Sequence, residues 1–168
     1  MFYLNRDHKS LKTFYEKSNY IVNELFSLAL SCSHTFVIEF DLDRLLNLVG
    51  YETLHKLLPN LQEHPKLSTK YTYEVYQGTL DQEKILLLRK MLSFKNNNWD
   101  DLPVNYINVI RLRDKNAVTT FRCNNLCSFI LFNLPNKLLK TFKRTIEEND
   151  IPLDVIEQVN IDINKLKP

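Results

Sequence analysis

The sequence predicts an α+β fold in which helices pack on small antiparallel sheet elements, with a β-hairpin near residues 104–123 followed by C-terminal helices. Two observations predict this class. Apolar residues recur every three or four positions in some segments, as on the buried side of a helix, and alternate with polar residues in others, as along a half-buried strand. The hydrophobic content of 44% and the charged content of 25% are ordinary for a globular protein, so we expect an ordered chain.

The N-terminal part of the chain predicts a helix, a strand and a second helix. Helical spacing of apolar residues runs through 8–32, alternation marks a strand at 35–40, and helical spacing returns over 42–58. Gly50 is expected to bend or divide the second helix, and Pro59 is expected to end it.

The middle of the chain predicts a second strand and another helix. Tyrosine and valine alternate with polar residues at 71–76, and Gly78 is expected to turn the chain. Thr79 and Gln82 have the spacing of a capping box, which predicts a helix over 80–94.

The C-terminal part predicts a hairpin and then helices. The segments 104–112 and 117–123 are rich in β-branched residues and are separated by the turn-like residues "RDKN". Helices are predicted at 126–133 and 136–149, and Pro152 is suited to the first turn of a short helix at 153–159.

The domain organisation follows from these elements. We expect an N-terminal helix–strand–helix segment at 1–58, a candidate linker at 59–69 and an α+β segment at 70–168 that carries the basic hairpin and helices. A chain of 168 residues fits one compact domain overall.

Composition excludes several classes of protein. Two glycines are too few for a phosphate-binding loop or a dinucleotide fingerprint. No apolar run is long enough to cross a bilayer, and residues 1–12 lack the pattern of a signal peptide. We therefore expect no membrane association and an intracellular location, nuclear or cytoplasmic.

The cysteines support the intracellular location. The chain has three of them, Cys32, Cys123 and Cys127, and an odd count argues against a disulfide scaffold. The last two lie four positions apart, but no second cysteine or histidine pair lies near them to complete a zinc site. All three are expected to be ordinary thiols, mostly buried.

A group of acidic residues admits two interpretations. Glu39 and Asp41 would share one face of a strand, with Asp43 close by, and such a group could hold a divalent cation for phosphodiester cleavage. Alternatively, Asp41 caps a helix beginning at Leu42, and Asp43 lies beside the positive end of its dipole. The sequence favours the cap, because no further metal-ligand spacing is present.

No catalytic residue is predicted. The four histidines, at positions 8, 34, 55 and 64, have neither metal-ligand spacing nor a neighbouring nucleophile in a familiar motif. The sequence therefore favours a protein that is not an enzyme and predicts no metal and no cofactor. An enzyme whose site is assembled in space remains an alternative.

The charge distribution gives candidate contact residues. Eight basic residues and one acidic residue lie between 104 and 145, whereas six acidic residues and no basic one lie between 146 and 164. Such asymmetry is typical of nucleic-acid-binding or acidic-partner-binding proteins. The candidate contacts are Arg111, Arg113, Lys115, Arg122, Lys137, Lys140, Lys143 and Arg144.

Tyrosines suggest a protein interface. Tyr71, Tyr73 and Tyr76 lie within one predicted strand, and tyrosine is enriched where proteins meet. The leading prediction is thus a non-catalytic protein-interaction module, a subunit of a larger intracellular assembly with other protein subunits as partners and a homo-oligomer as one possibility. The alternatives are a nucleic-acid-binding domain using the basic region 104–145 and an enzyme whose site the sequence does not reveal.

Overall fold

The computed structural model describes residues 1–12, 15–41, 50–57, 73–91, 107–124 and 129–161. The strands are β1 (Phe2–Leu4), β2 (Thr35–Asp41), β3 (Tyr73–Thr79), β4 (Ile107–Arg113), β5 (Thr119–Asn124), β6 (Phe129–Phe132) and β7 (Ile156–Gln158). The helices are α1 (Lys9–Lys12), α2 (Tyr15–Cys32), α3 (Tyr51–Leu57), α4 (Gln82–Met91) and α5 (Asn136–Glu148), and a 3₁₀ turn spans Leu153–Val155.

All the described strands belong to one antiparallel sheet. Their order is β3-β2-β4-β5-β6-β1-β7, so strands from both sides of the segment 59–69 lie in the same sheet. The predicted α+β class is confirmed, but the prediction of small sheet elements is wrong, because this sheet has seven strands. The sequence understates the sheet because β1 and β7 have three residues each, too few to show a period of two.

The helices cover one face of the sheet, which we call the front face. Alternate residues of β2 are fully buried there, namely Phe36, Ile38 and Phe40, and they share one apolar core with residues of α2, α4 and α5. Phe26 of α2 packs edge-on against Phe121 of β5, with ring centroids 5.2 Å apart. The intervening residues of each strand point to the opposite side, the back face.

Gly78 has a different role from the one predicted. It lies within β3 and pairs with Phe36 of β2 instead of turning the chain. A Cβ at this position would approach the Phe36 ring to 2.8 Å, closer than a van der Waals contact. The glycine is therefore required by the buried phenylalanine beside it, and β3 continues through it to Thr79.

The cap of α4 is also different. Thr79 is the last residue of β3, and the helix begins at Gln82 instead of residue 80. The backbone N–H of Lys84 donates to the Asp81 carboxylate at 2.8 Å, so Asp81 is the capping residue. The predicted capping box is wrong, because the threonine hydroxyl lies in the strand, two residues before the cap.

The predicted helix at 126–133 is wrong where the structure describes it, since Phe129–Phe132 form strand β6. Ile130 and Phe132 belong to the front-face core, and Leu131 is buried on the back face. A short run that is apolar on both faces cannot be distinguished from a buried helix by its spacing. The helix at 153–159 is likewise replaced by the 3₁₀ turn and β7.

Several predictions are confirmed. β2, β3, α5 and the hairpin of β4 and β5 lie where the alternation and spacing placed them. In the hairpin turn, the Asp114 carboxylate accepts the backbone N–H groups of Asn116 and Val118, both at 2.9 Å. The predicted helix at 42–49, the linker at 59–69 and the polar loop at 95–103 lie outside the described residues, apart from α3, which follows Gly50 at φ 80°.

The cysteines differ from the prediction. Cys32 is a free thiol, whose pKa is raised by burial, but Cys123 is disulfide-bonded. The expectation of three free thiols is therefore wrong at Cys123, because an odd count excludes only complete pairing. The cysteines consequently give no support to the predicted intracellular location, since disulfides are rare in reducing compartments. Among the described helices, none is long and apolar enough to cross a membrane.

Candidate nucleic-acid interface

Three arginines lie together on the back face, and we call them the arginine cluster. Arg111 of β4 is directly opposite Arg122 of β5. Arg113 lies two residues beyond Arg111 on the same side of β4, as the alternation predicted. Directly opposed residues have Cβ atoms about 4.5–5.5 Å apart. The guanidinium groups can therefore converge on one ligand.

Two members of the cluster are buried to an unusual degree for arginine. Arg111 is 7% exposed and Arg122 is 2% exposed, whereas arginine is almost never fully buried without compensating groups. Burial is the main cause that lowers the pKa of Arg111, and the charges of Arg122 and Arg113 lower it further. The fold thus holds like charges close together in a poorly solvated place, at a cost in stability.

A carboxylate and two amides border the cluster. Glu39 of β2 accepts a hydrogen bond from Asn108 Nδ2 at 2.7 Å, and Asn124 Oδ1 accepts one from Arg122 Nε at 3.0 Å. The register of β2 and β4 shifts at Glu39, so Asn108 is the extra residue of a bulge that brings its amide beside the carboxylate.

Glu39 offsets only part of the positive charge. Its carboxylate raises the pKa of Arg122, against the larger lowering caused by burial. The three guanidinium groups themselves stay charged, since arginine does not lose its proton in proteins. Such a group can bind an oxyanion through several N–H donors at once.

The predicted basic residues of α5 lie elsewhere. Lys137, Lys140 and Arg144 are exposed on the helix, and Arg144 pairs with Glu148 at 3.5 Å. The helix itself packs on the front face, where Phe142 meets Phe132 edge-on with centroids 5.5 Å apart. The sheet therefore separates these residues from the arginine cluster, and the two groups do not form one surface.

The other predicted contact residues have separate places. Lys115 is exposed in the turn between β4 and β5. Lys143 is half-buried on α5, with its ammonium 5.7 Å from the centre of the Phe2 ring, a cation–π arrangement. Neither residue lies on the back face with the arginine cluster.

The predicted interface and acidic residues are described only in part. Tyr76 is half-buried and stacks on Phe40, with centroids 5.4 Å apart, so its ring lies toward the front-face core. Tyr73 lies in β3 beside Asp41 at the end of β2. Tyr71 and Asp43 lie outside the described residues. Within the described parts of the chain, no group of histidine, cysteine, aspartate or glutamate has the geometry of a metal site.

Sequence reasoning missed the neighbours of the arginines. Asn108 and Asn124 were not singled out because they carry no charge, and Glu39 was not assigned to the basic region because it comes from another strand, β2. The sequence did contain one signal, the alternation of side chains along each strand. Glu39 and Arg111 each alternate with apolar residues that point to the core, so both point to the opposite face. Alternation within a strand does not reveal which strands become neighbours. The proximity of Glu39 to the arginines is therefore visible only once the order of the strands is known.

Comparison with protein-family models, with curated proteins and with solved structures finds no significant match.

Proposed function

We propose that this protein binds nucleic acid, with the arginine cluster on the back face contacting the phosphate backbone. The observation that carries the proposal is the row of three arginines on the back face, in which Arg111 and Arg122 pair directly and Arg113 is the least buried. Like charges directly opposite each other in a sheet are destabilising. An anionic ligand held by Arg113, the least buried of the three, would offset part of the positive charge of the row.

The chemistry favours phosphate over other anions. A guanidinium presents its N–H donors as a planar fork that matches two oxygens of a phosphate or carboxylate. Arg113 lies two residues after Arg111 on the same face of β4, so their Cα atoms are about 6.5–7 Å apart. A row of guanidinium groups suits a backbone with repeated anionic groups better than a single small anion. Packing also restricts the buried side chains before the ligand arrives, so little conformational entropy is lost on binding.

A salt titration tests the proposal. The full chain should bind a fluorescein-labelled single strand of mixed sequence, measured by fluorescence anisotropy. Three phosphate contacts should give a slope of about −2 in a plot of log K against log salt. A variant with Lys140→Glu and Arg144→Glu is the matched control. It reverses two charges on the far side of the sheet and should keep most of the affinity.

Two results would contradict the proposal. Absence of binding to single-stranded and double-stranded probes at low salt would exclude it outright. Loss of binding in the Lys140→Glu, Arg144→Glu variant, with Arg111→Met and Arg113→Met unaffected, would move the contact to α5 and exclude the arginine cluster.

We propose as a second candidate that the chain is a protein-interaction module acting through the edge of its sheet. In the described part of the chain, β3 is one of the two edge strands of the sheet and pairs only with β2. Val75 in this strand is 57% exposed. An edge strand with an exposed apolar residue is suited to pairing with a strand of another chain. The predicted interface tyrosines Tyr73 and Tyr76 belong to the same strand.

Sedimentation velocity tests the edge as a contact with a second copy of the chain. The wild-type protein should associate as its concentration rises, and Val75→Lys should shift it to monomer, because a lysine on an edge strand opposes pairing. Leu86→Lys is the control, since Leu86 is similarly exposed but lies on α4. A wild-type monomer at every concentration would contradict this candidate.

A further inference from the structure

A pocket of about 340 Å³ lies where β2, β3 and β4 run side by side. It opens on the back face, because most of its lining alternates with residues that point to the front-face core. Its volume is at the lower end of the range of small-molecule sites, so it suits a small ligand. The lining residues are Thr35, Phe36, Val37, Gln77, Gly78, Thr79 and Arg113.

The register of the strands fixes the lining. Thr35 of β2 lies between Arg113 of β4 and Thr79 of β3 and is directly opposite both. The backbone of His34 ties the same strand ends together. Its N–H donates to the Arg113 carbonyl at 2.7 Å, and its carbonyl accepts the Leu80 N–H at 2.8 Å. The lining is therefore held in place before a ligand binds, which lowers the entropy cost of binding.

Arg113 is the charged residue of this lining. Its Nε is buried and has no hydrogen-bond partner in the structure, and a buried donor without a partner costs free energy. Within the described parts of the chain, Arg113 makes no ion pair. The carboxylate of the adjacent Asp114 instead accepts two backbone N–H groups of the hairpin turn. A ligand with anionic oxygens would satisfy both the Nε donor and the charge of Arg113.

The rest of the lining is neutral. The hydroxyls of Thr35 and Thr79 can donate or accept, and the Gln77 amide does both. Val37 adds apolar surface, and none of the lining residues is acidic, so the lining offers no partner for an ammonium group. A single guanidinium fork matches the two oxygens and the single charge of one carboxylate. The neutral polar groups beside it match hydroxyl groups.

We propose that this pocket binds a small organic carboxylate that carries hydroxyl groups. The carboxylate accepts N–H groups of Arg113, the carbon chain lies against Val37, and the hydroxyls bond to Gln77 and Thr79. This inference goes beyond nucleic-acid binding, because it gives the chain a site for a small molecule. Arg113 also belongs to the proposed phosphate contact, so the two ligands would compete for it, and the small molecule is therefore tested without nucleic acid.

An NMR titration of the isotopically labelled full chain tests the site. Sodium glycerate, which has a carboxylate and hydroxyl groups, is added at constant ionic strength, because salt screens exposed charges. The amide shifts should saturate and should be largest at the lining residues. Propionate lacks the hydroxyls and should bind about 2- to 12-fold more weakly. The methyl ester of glycerate lacks the charge and should bind at least about tenfold more weakly.

The variants isolate the side chains of the pocket. Arg113→Gln removes the charge and the planar fork, and it should weaken glycerate binding at least about tenfold. Lys115→Gln is the matched control, since it removes the same charge from an exposed residue of the hairpin turn that does not line the pocket. Thr79→Val removes a hydroxyl from an exposed side chain, so it should keep the fold and reduce the preference for glycerate over propionate.

Four results would overturn this inference. They are no saturable shift with glycerate, shifts centred away from the lining residues, equal affinity for glycerate and its methyl ester, and unchanged affinity in Arg113→Gln. Inorganic phosphate is titrated in parallel, and tighter binding of phosphate than of glycerate would also overturn the carboxylate assignment. None of these results decides whether nucleic acid binds, which the salt titration measures separately.

Discussion

Replacing Arg111 by methionine is expected to weaken nucleic-acid binding by about 10- to 150-fold, because a charge-assisted hydrogen-bonding contact contributes about 1.5–3 kcal/mol. The same substitution should leave the free energy of unfolding unchanged or increased. Burial and two neighbouring arginines lower the pKa of Arg111, which means that the folded state disfavours its charged form. Arginine stays protonated at any working pH, so this charge is always present, and methionine removes it while keeping a long unbranched side chain.

Two measurements on one variant make this expectation specific. Anisotropy gives the affinity, and urea unfolding gives the stability from the denaturation midpoint. Arg111→Lys is the matched control, because it retains the charge opposite Arg122 but loses the planar fork. It should weaken binding with no gain in stability. A large loss of stability in Arg111→Met would instead assign this arginine a structural role and would remove the main support for the proposed site.

A functional site commonly lowers the stability of the fold that carries it. The arginine cluster shows this conflict between local rules, since it places like charges opposite each other in a sheet and buries them. If these positions served stability alone, we would expect apolar or oppositely charged residues to face each other across the two strands. For this reason the sheet arginines, and not the exposed charges of α5, are the stronger candidates for function.

The sequence predicted the regular elements wherever one face of an element is buried and the other is not. Strand β2 has this pattern, since Phe36, Ile38 and Phe40 alternate with half-buried residues, and its predicted bounds are accurate to one residue. The pattern of α5 is equally clear, with Phe142 and Ile146 buried and its basic residues exposed. In such elements the hydrophobic periodicity and the tertiary packing agree.

Prediction failed where packing on both faces removed the periodicity. β6 is buried on both sides, so its four apolar residues carried no alternation.

The candidate site was predicted only in part for a related reason. Arg111, Arg113 and Arg122 were recognised by their charge and spacing, but their separation from Lys137, Lys140 and Arg144 depends on which face of the sheet the helix covers. That choice is made by long-range contacts such as Phe142 on Phe132.

Replacing Phe132 by alanine is expected to cost about 3–5 kcal/mol of unfolding free energy, a large part of the 5–15 kcal/mol typical of a domain. Phe132 is fully buried and joins three parts of the fold. Its ring stacks on Phe2 of β1 with centroids 5.6 Å apart and meets Phe142 of α5 edge-on. Its loss would therefore leave a cavity between the sheet and the helix that neighbouring rings can fill only in part.

Phe129→Ala is the control, because this phenylalanine lies in the same strand but is half-buried and contacts Tyr3 on the back face, with centroids 5.2 Å apart. Phe129→Ala should lower the unfolding free energy distinctly less than Phe132→Ala, because folding buries less apolar surface at Phe129. Phe132→Leu should lose only a fraction of the alanine effect, because leucine fills most of the cavity. Urea midpoints of the three variants measure these differences. Equal losses for Phe129→Ala and Phe132→Ala would mean that both rings are equally buried, contrary to the half-buried Phe129 and the fully buried Phe132. A small loss for Phe132→Ala would contradict the packing of Phe132 against Phe2 of β1 and Phe142 of α5.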